Sequence, residues 1–214
     1  MPALISVNTL RPADIICSTT NAAISAVIRA GMGASVSHCM LYVGGSYVIE
    51  AVGPGVVRRP LAEALEGATL AIALRRRNLT EKQRSAVIDY ATKFALKNLP
   101  YDAIGAAGAG IATGSKGAAL TGFGCAVYLP LCAFAGGAAT GAVLNNARAE
   151  NADNAFFCSE LVARCFELAG APVVDGAASF AAPRAIRMAN TLLNLGKLVD
   201  TPPPDPGIAP GIPL

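Results

Sequence analysis

Residues 37–52 read SHCMLYVGGSYVIEAV. Two runs rich in β-branched, aromatic and aliphatic residues flank Gly44-Gly45-Ser46, a tight-turn composition, so an antiparallel hairpin is expected here. It carries the only histidine of the chain, His38, and an acid, Glu50. If the loop is three residues long, Gly44 to Ser46, Val43 faces Tyr47 and Met40 faces Glu50. His38 and Glu50 then share a face as diagonal neighbours, within reach of a long acidic side chain. A two-residue turn would send Glu50 to the other face.

Upstream, Asp14 to Cys17 is a short apolar run after Arg11-Pro12. Residues 21–30, NAAISAVIRA, have helical spacing, with Ile24, Val27 and Ile28 on one side. Downstream, ATLAIALRR (68–76) reads as a third strand. Thr80 opens a helix, because Gln83 three positions later completes a capping box and Val87, Tyr90, Ala91 and Phe94 form an apolar face. That helix should stop near Asn98, before Pro100. FFCSELVARCFELAG (156–170) reads as a helix closed by Gly170, and a last helix is expected from Pro183 to about Leu198. The overall order is α+β, in one domain over 1–200, followed by the Pro-rich, extended tail 201–214.

The chemistry begins from scarcity. Any mechanism that needs imidazole must use His38. Cys158 opens its helix, where free backbone N–H groups and the positive end of the helix dipole favour thiolate over thiol. The same N–H groups can donate to a developing oxyanion. Cys165, in mid-helix, lacks this help and reads as a small core residue. Cys39 follows His38 on its strand and points to the opposite face, while no helix N-terminus follows Cys17 directly. Glu50 is the leading candidate for holding the imidazole in its correct tautomer, with Asp14 and Asp102 as substitutes.

Taken in order, the blocks RPADII (11–16), SHCMLYVGGSYVIEAV, LTEKQRSAVIDYATKFALKNLPYD (79–102), FFCSELVARCFELAG and AAPRAIRMANTLLNLGKLV (181–199) resemble the motifs of the YiiX-like branch of the permuted NlpC-type papain-like cysteine hydrolases. The resemblance implies a circularly permuted papain-like fold, a small antiparallel sheet or half-barrel packed against helices. In that family the histidine precedes the cysteine, and the cysteine begins a helix in a CSEL-type motif. The family's His corresponds to His38, its Cys to Cys158 and its acidic member to Glu50. Tyr101 and Asp102 fall at the family's YD position, as residues that line the cleft or brace the sheet. Ser159, next to the nucleophile, is a further candidate for contact with substrate.

The departure from the family is a Gly/Ala-rich insertion over 103–152. It carries no charge from Gly117 to Ala147, and TGFGCAVYLPLCAFAGGAATGAVL (121–144) is long enough to span a bilayer. Two readings stand level: a buried helical hairpin, or an element contacting membrane or lipid through 117–144. The implied activity is accordingly a thiol hydrolase cleaving an amide, such as a cell-wall peptide bond. The first alternative is a phospholipase or acyltransferase like the lecithin:retinol acyltransferase branch, and the second is a non-catalytic membrane or interaction protein. Partners are thus a peptide, a peptidoglycan fragment or a lipid.

Composition narrows the rest. The net charge of +3 is scattered, and with 6% aromatic residues and no Trp there is no basic, stacking groove for nucleic acid. None of the six cysteines forms a C-x-x-C pair, and one histidine leaves a zinc site short of ligands, so neither metal nor cofactor is expected. The thiols read as buried and free. Residues 1–16 lack the pattern of a secretory signal, so the expectation is a cytoplasmic protein or one exported by another route.

Overall fold

The computed structural model describes residues 3–20, 35–102 and 154–199. The helix expected at 21–30, the insertion with its membrane or hairpin readings, Cys125, Cys132 and the tail lie outside the described residues. Seven strands form one sheet: β1 (Leu4–Ile5), β2 (Ile15–Thr20), β3 (His38–Gly44), β4 (Tyr47–Val52), β5 (Gly55–Pro60), β6 (Ala68–Arg76) and β7 (Leu192–Leu198). Their order is β1-β7-β6-β2-β3-β4-β5, parallel only between β1 and β7. Among the described residues four α-helices accompany them: α1 (Leu61–Ala64), α2 (Glu81–Leu96), α3 (Cys158–Leu168) and α4 (Pro183–Met188).

Strand alternation divides the core. Ile15, Cys17, Cys39, Leu41, Ile49 and Leu74 pack with Val87, Ala91 and Phe94 of α2 and with Leu161, Val162, Cys165 and Phe166 of α3. Ile16, Met40, Tyr42, Val48 and Ala73 form a second cluster with Val7, Leu10, Leu61 and Leu198. Each large side chain buried in this way contributes roughly 1.5–3 kcal/mol. Both faces of the central strands are therefore apolar, and a polar residue among them needs a partner.

Helix α2 begins as its sequence dictates: Thr80 Oγ1 accepts from Gln83 N–H at 3.2 Å, and Gln83 Oε1 accepts from Thr80 N–H at 3.1 Å. The hairpin is subtler. Its turn is two residues, Gly45 and Ser46, both at positive φ as a tight hairpin turn requires. Such a turn by itself would reverse the face of Glu50. A register shift between Tyr42 and Gly44 absorbs one residue, so that Gly44 rather than Val43 stands opposite Tyr47, while Leu41 still faces Ile49. The bulge thus restores the parity that brings His38 and Glu50 onto one face.

The last segment departs from expectation. Helix α4 ends at Met188, and residues 192–198 form strand β7 between β1 and β6. Leu192, Leu195 and Leu198 have near-helical spacing, but that spacing arises from a bulge. Asn194 pairs with Leu74 and Gly196 with Ala73, leaving Leu195 as the extra residue. Strand β5 is short, and its place at the sheet edge follows from its pairing with β4.

Candidate active site

Three elements converge on the site. Strand β3 begins at His38, β4 carries Glu50 near its end, and α3 begins at Cys158. The β3–β4 ladder runs from Leu41–Ile49 to Gly44–Tyr47 and so stops short of Cys39. Helix α3 packs on both strands beside that end. The lead-in to the helix is held by the segment after α2. Tyr101 bridges to Phe156 in parallel, Asp102 N–H donates to Phe156 C=O at 2.9 Å, and Phe156 N–H donates to Pro100 C=O at 3.2 Å. The Phe156 ring lies 4.7 Å, centroid to centroid, from Phe94 of α2. The family-position pair Tyr101 and Asp102 therefore braces the strand entering α3, rather than the sheet.

Glu50 is fully buried, and its two oxygens are divided between two cations or cation-formers. Oε2 lies 2.5 Å from His38 Nε2, and Oε1 accepts from Arg59 Nε. Burial alone would raise its pKa, yet His38 and then Arg59 hold it below the ordinary carboxylate range. Arg59 reaches Glu50 because β5 pairs in register with β4, placing Val57 opposite Glu50 and Arg59 two residues further along the same face. In the sequence Arg59 is one of the scattered charges. The signal that could have found it is the alternation of GVVRRP beside a buried acid.

With Nε2 engaged by Glu50, Nδ1 is the ring nitrogen left to serve Cys158, which lies near enough for the two charges to act on each other. Burial opposes the imidazolium, but the Cys158 thiolate first and then Glu50 outweigh it and raise the His38 pKa to about 10. The thiol responds in the opposite sense. Burial would raise its pKa, while the imidazolium and the backbone N–H groups of Cys39 and Ser159 lower it below the usual thiol range. Each group thus favours the charged form of the other. His38 keeps 24% of its side-chain surface exposed and Cys158 only 6%.

The remaining candidates sort by place. Tyr101 is near enough to Cys158 that the thiolate, after burial, raises its hydroxyl pKa above the usual value. Ser159 is fully buried; among the described residues its Oγ has no hydrogen-bond partner, and its backbone N–H acts on Cys158. Asp14 sits at the other end of β2 from the His38 partner Ser18 and is held by Arg75 at 2.6 and 2.7 Å, which removes it as a substitute for Glu50. Cys17 and Cys39 are buried together on the helix-facing side. Cys165 is buried, and its thiol is pushed up by that burial. At the start of α3, Glu160 accepts from the Phe157 N–H at 3.3 Å; Phe157 has no side-chain oxygen to cap the helix in return, so the cap is one-sided and the helix start keeps donors for an anion.

No family model and no curated protein matches the chain. The fold is YiiX-like: it is similar to the crystal structure of metalloprotein yiiX from Escherichia coli O157:H7, with a TM-score of 0.55 and 18% identity over 87% of this chain and 97% of that one. At this identity the likeness concerns the fold. Among the described residues no three His, Cys, Asp or Glu side chains converge to hold a metal ion. Among the same residues no helix is long and apolar enough to cross a membrane.

Proposed function

We propose that the chain is a thiol hydrolase or acyltransferase that forms an acyl-enzyme on Cys158, with an amide such as a peptide bond as its substrate. The observation that carries this reading is the line from Arg59 through Glu50 and His38 to Cys158, in which a buried carboxylate holds the one imidazole of the chain against a thiol at a helix start. The YiiX-like fold supports a hydrolase-type scaffold, and the order of His38 before Cys158 supports its permuted, papain-like form.

In the first half-reaction the Cys158 thiolate adds to the carbonyl carbon, and the oxygen takes the negative charge toward the N–H groups at the start of α3. His38, protonated at rest, gives its proton to the leaving amine as the C–N bond breaks. Neutral His38 then takes a proton from water or another acceptor, whose oxygen attacks the thioester and releases Cys158 as thiolate. Glu50 keeps the ring in register and balances its charge through both halves. Tyr101 and Asp102 flank the acyl group.

Lipid esters are the second substrate class, and they rest on the uncharged run 117–144. The test is a screen of wild type and Cys158→Ala against peptidoglycan peptides and phospholipid vesicles. Amide cleavage by wild type that Cys158→Ala lacks supports the proposal. Cleavage confined to phospholipid moves it to the lipid class. Failure to label Cys158 preferentially with an alkylating reagent at neutral pH leaves only the non-catalytic interaction protein.

A further inference from the structure

Cys17 and Cys39 stand directly opposite one another on β2 and β3, with their sulfurs 3.2 Å apart. Both are fully buried, in a cluster that includes Ile15, Leu41 and Ile72. Neither is used by the chemistry above. Opposed residues in an antiparallel pair have Cα atoms about 4.5–5.5 Å apart, inside the roughly 4.4–6.8 Å range that a disulfide spans. Rotation about the two side-chain bonds is enough to bring the sulfurs together, with the strands left in register.

We infer that Cys17 and Cys39 form a cross-strand disulfide when the chain folds in the presence of an oxidised low-molecular-weight disulfide such as oxidised glutathione. One protein thiolate attacks the small disulfide and releases one glutathione thiol. The second protein thiolate displaces the other glutathione, so two protein thiols are oxidised as one small disulfide is reduced to two thiols. The folded, reduced pair is protected from this exchange, because both thiols are fully buried and out of reach of the small disulfide. The bond therefore forms while β2 and β3 are still accessible, and the native pairing selects these two sulfurs. It closes the loop that contains residues 18–38 and fixes β3 to β2 one residue from His38. The inference does not depend on the acyl-transfer reading, since Cys158 and Cys165 take no part in it.

The full chain, refolded from denaturant with reduced and oxidised glutathione, then alkylated in denaturant and digested with trypsin without reductant, provides the test. Cleavage after Arg29 separates the two cysteines. The expected result is a cross-linked species joining peptides 1–29 and 30–58, with Cys158 and Cys165 alkylated. The oxidised protein should also melt about 5–10 °C above its reduced form, a difference that Cys17→Ser abolishes. Peptide mapping of the wild type stands even if that variant fails to fold. The inference is overturned if both thiols are recovered alkylated, if either is joined to Cys125, Cys132 or Cys158 instead, or if the linked protein melts below the reduced one.

Discussion

Glu50 Oε2 lies 2.5 Å from His38 Nε2, while the other oxygen of the same fully buried carboxylate is held by Arg59. A carboxylate anchored at one oxygen has only one left with which to orient the ring. The relationship therefore accounts for both the imidazole's attitude and its charge, and its parts can be removed one at a time.

Loss of either reacting group should be severe. Cys158→Ala and His38→Ala are each expected to lower kcat by at least about 10³-fold while the far-UV circular dichroism spectrum stays unchanged, because thiolate and base act as a unit. A folded variant of either kind with near wild-type turnover on a confirmed substrate would refute the assignment.

Glu50 orients and does not react, so Glu50→Gln should lower kcat, but by less than Cys158→Ala does. Its pH profile carries the sharper test. Against the effect of burial, the Cys158 thiolate and then Glu50 raise the His38 pKa to about 10. Replacing the carboxylate by a neutral amide must therefore move the alkaline limb of kcat to lower pH. An unmoved limb would mean that Glu50 does not act on the ring.

Arg59→Met strips the buried Glu50 of its second cation. Glu50's pKa is lower folded than unfolded, so its contribution to stability is present above the unfolded value of roughly 4.3 and is lost as pH falls through the folded one. The variant should unfold at a higher pH in acid titration and lose about 1–2 kcal/mol in urea at neutral pH, less than a fully buried pair would, because Arg59 is 35% exposed. Arg59→Lys should recover part of both. Identical acid unfolding of Arg59→Met and wild type would show that the contact does not matter in solution.

Gly55 begins β5 at φ +123, and a Cβ there would stand 2.5 Å from Leu99 C=O, the acceptor of the Val56 N–H. Gly55→Ala should therefore destabilise the protein by about 2 kcal/mol or more and push on the segment that holds Tyr101 against Phe156. Urea denaturation measures the first effect and the rate of Cys158 alkylation the second. A neutral substitution would mean that Leu99 yields freely.

The site was legible where local signals agree with tertiary ones. Thr80 and Gln83 announce their helix, and the scarcity of histidine points at His38. Glu50 was placed on the correct face, but by a route the chain does not take: the turn is shorter than the argument assumed, and a bulge compensates. The same kind of bulge, at Leu195, gave β7 the spacing of a helix, since bulges follow from pairing partners that a linear pattern does not contain. Arg59 and the Cys17–Cys39 contact were hidden for a related reason. Each is defined by strand register across 9 and 22 positions respectively, and composition has no access to register. Ser159 looked like a cleft residue by its adjacency to Cys158, but the helix turns its side chain inward.

The central claim is that His38 activates Cys158, and the rate of Cys158 alkylation by iodoacetamide from pH 5 to 10, read by peptide mapping in wild type and His38→Ala, tests it most directly. The wild-type rate should reach its plateau below the ordinary thiol range near pH 8.5, well ahead of the buried Cys165, and His38→Ala should move the midpoint up to that range or beyond. A wild-type midpoint already at or above about 8.5, unchanged by the loss of His38, would contradict the account.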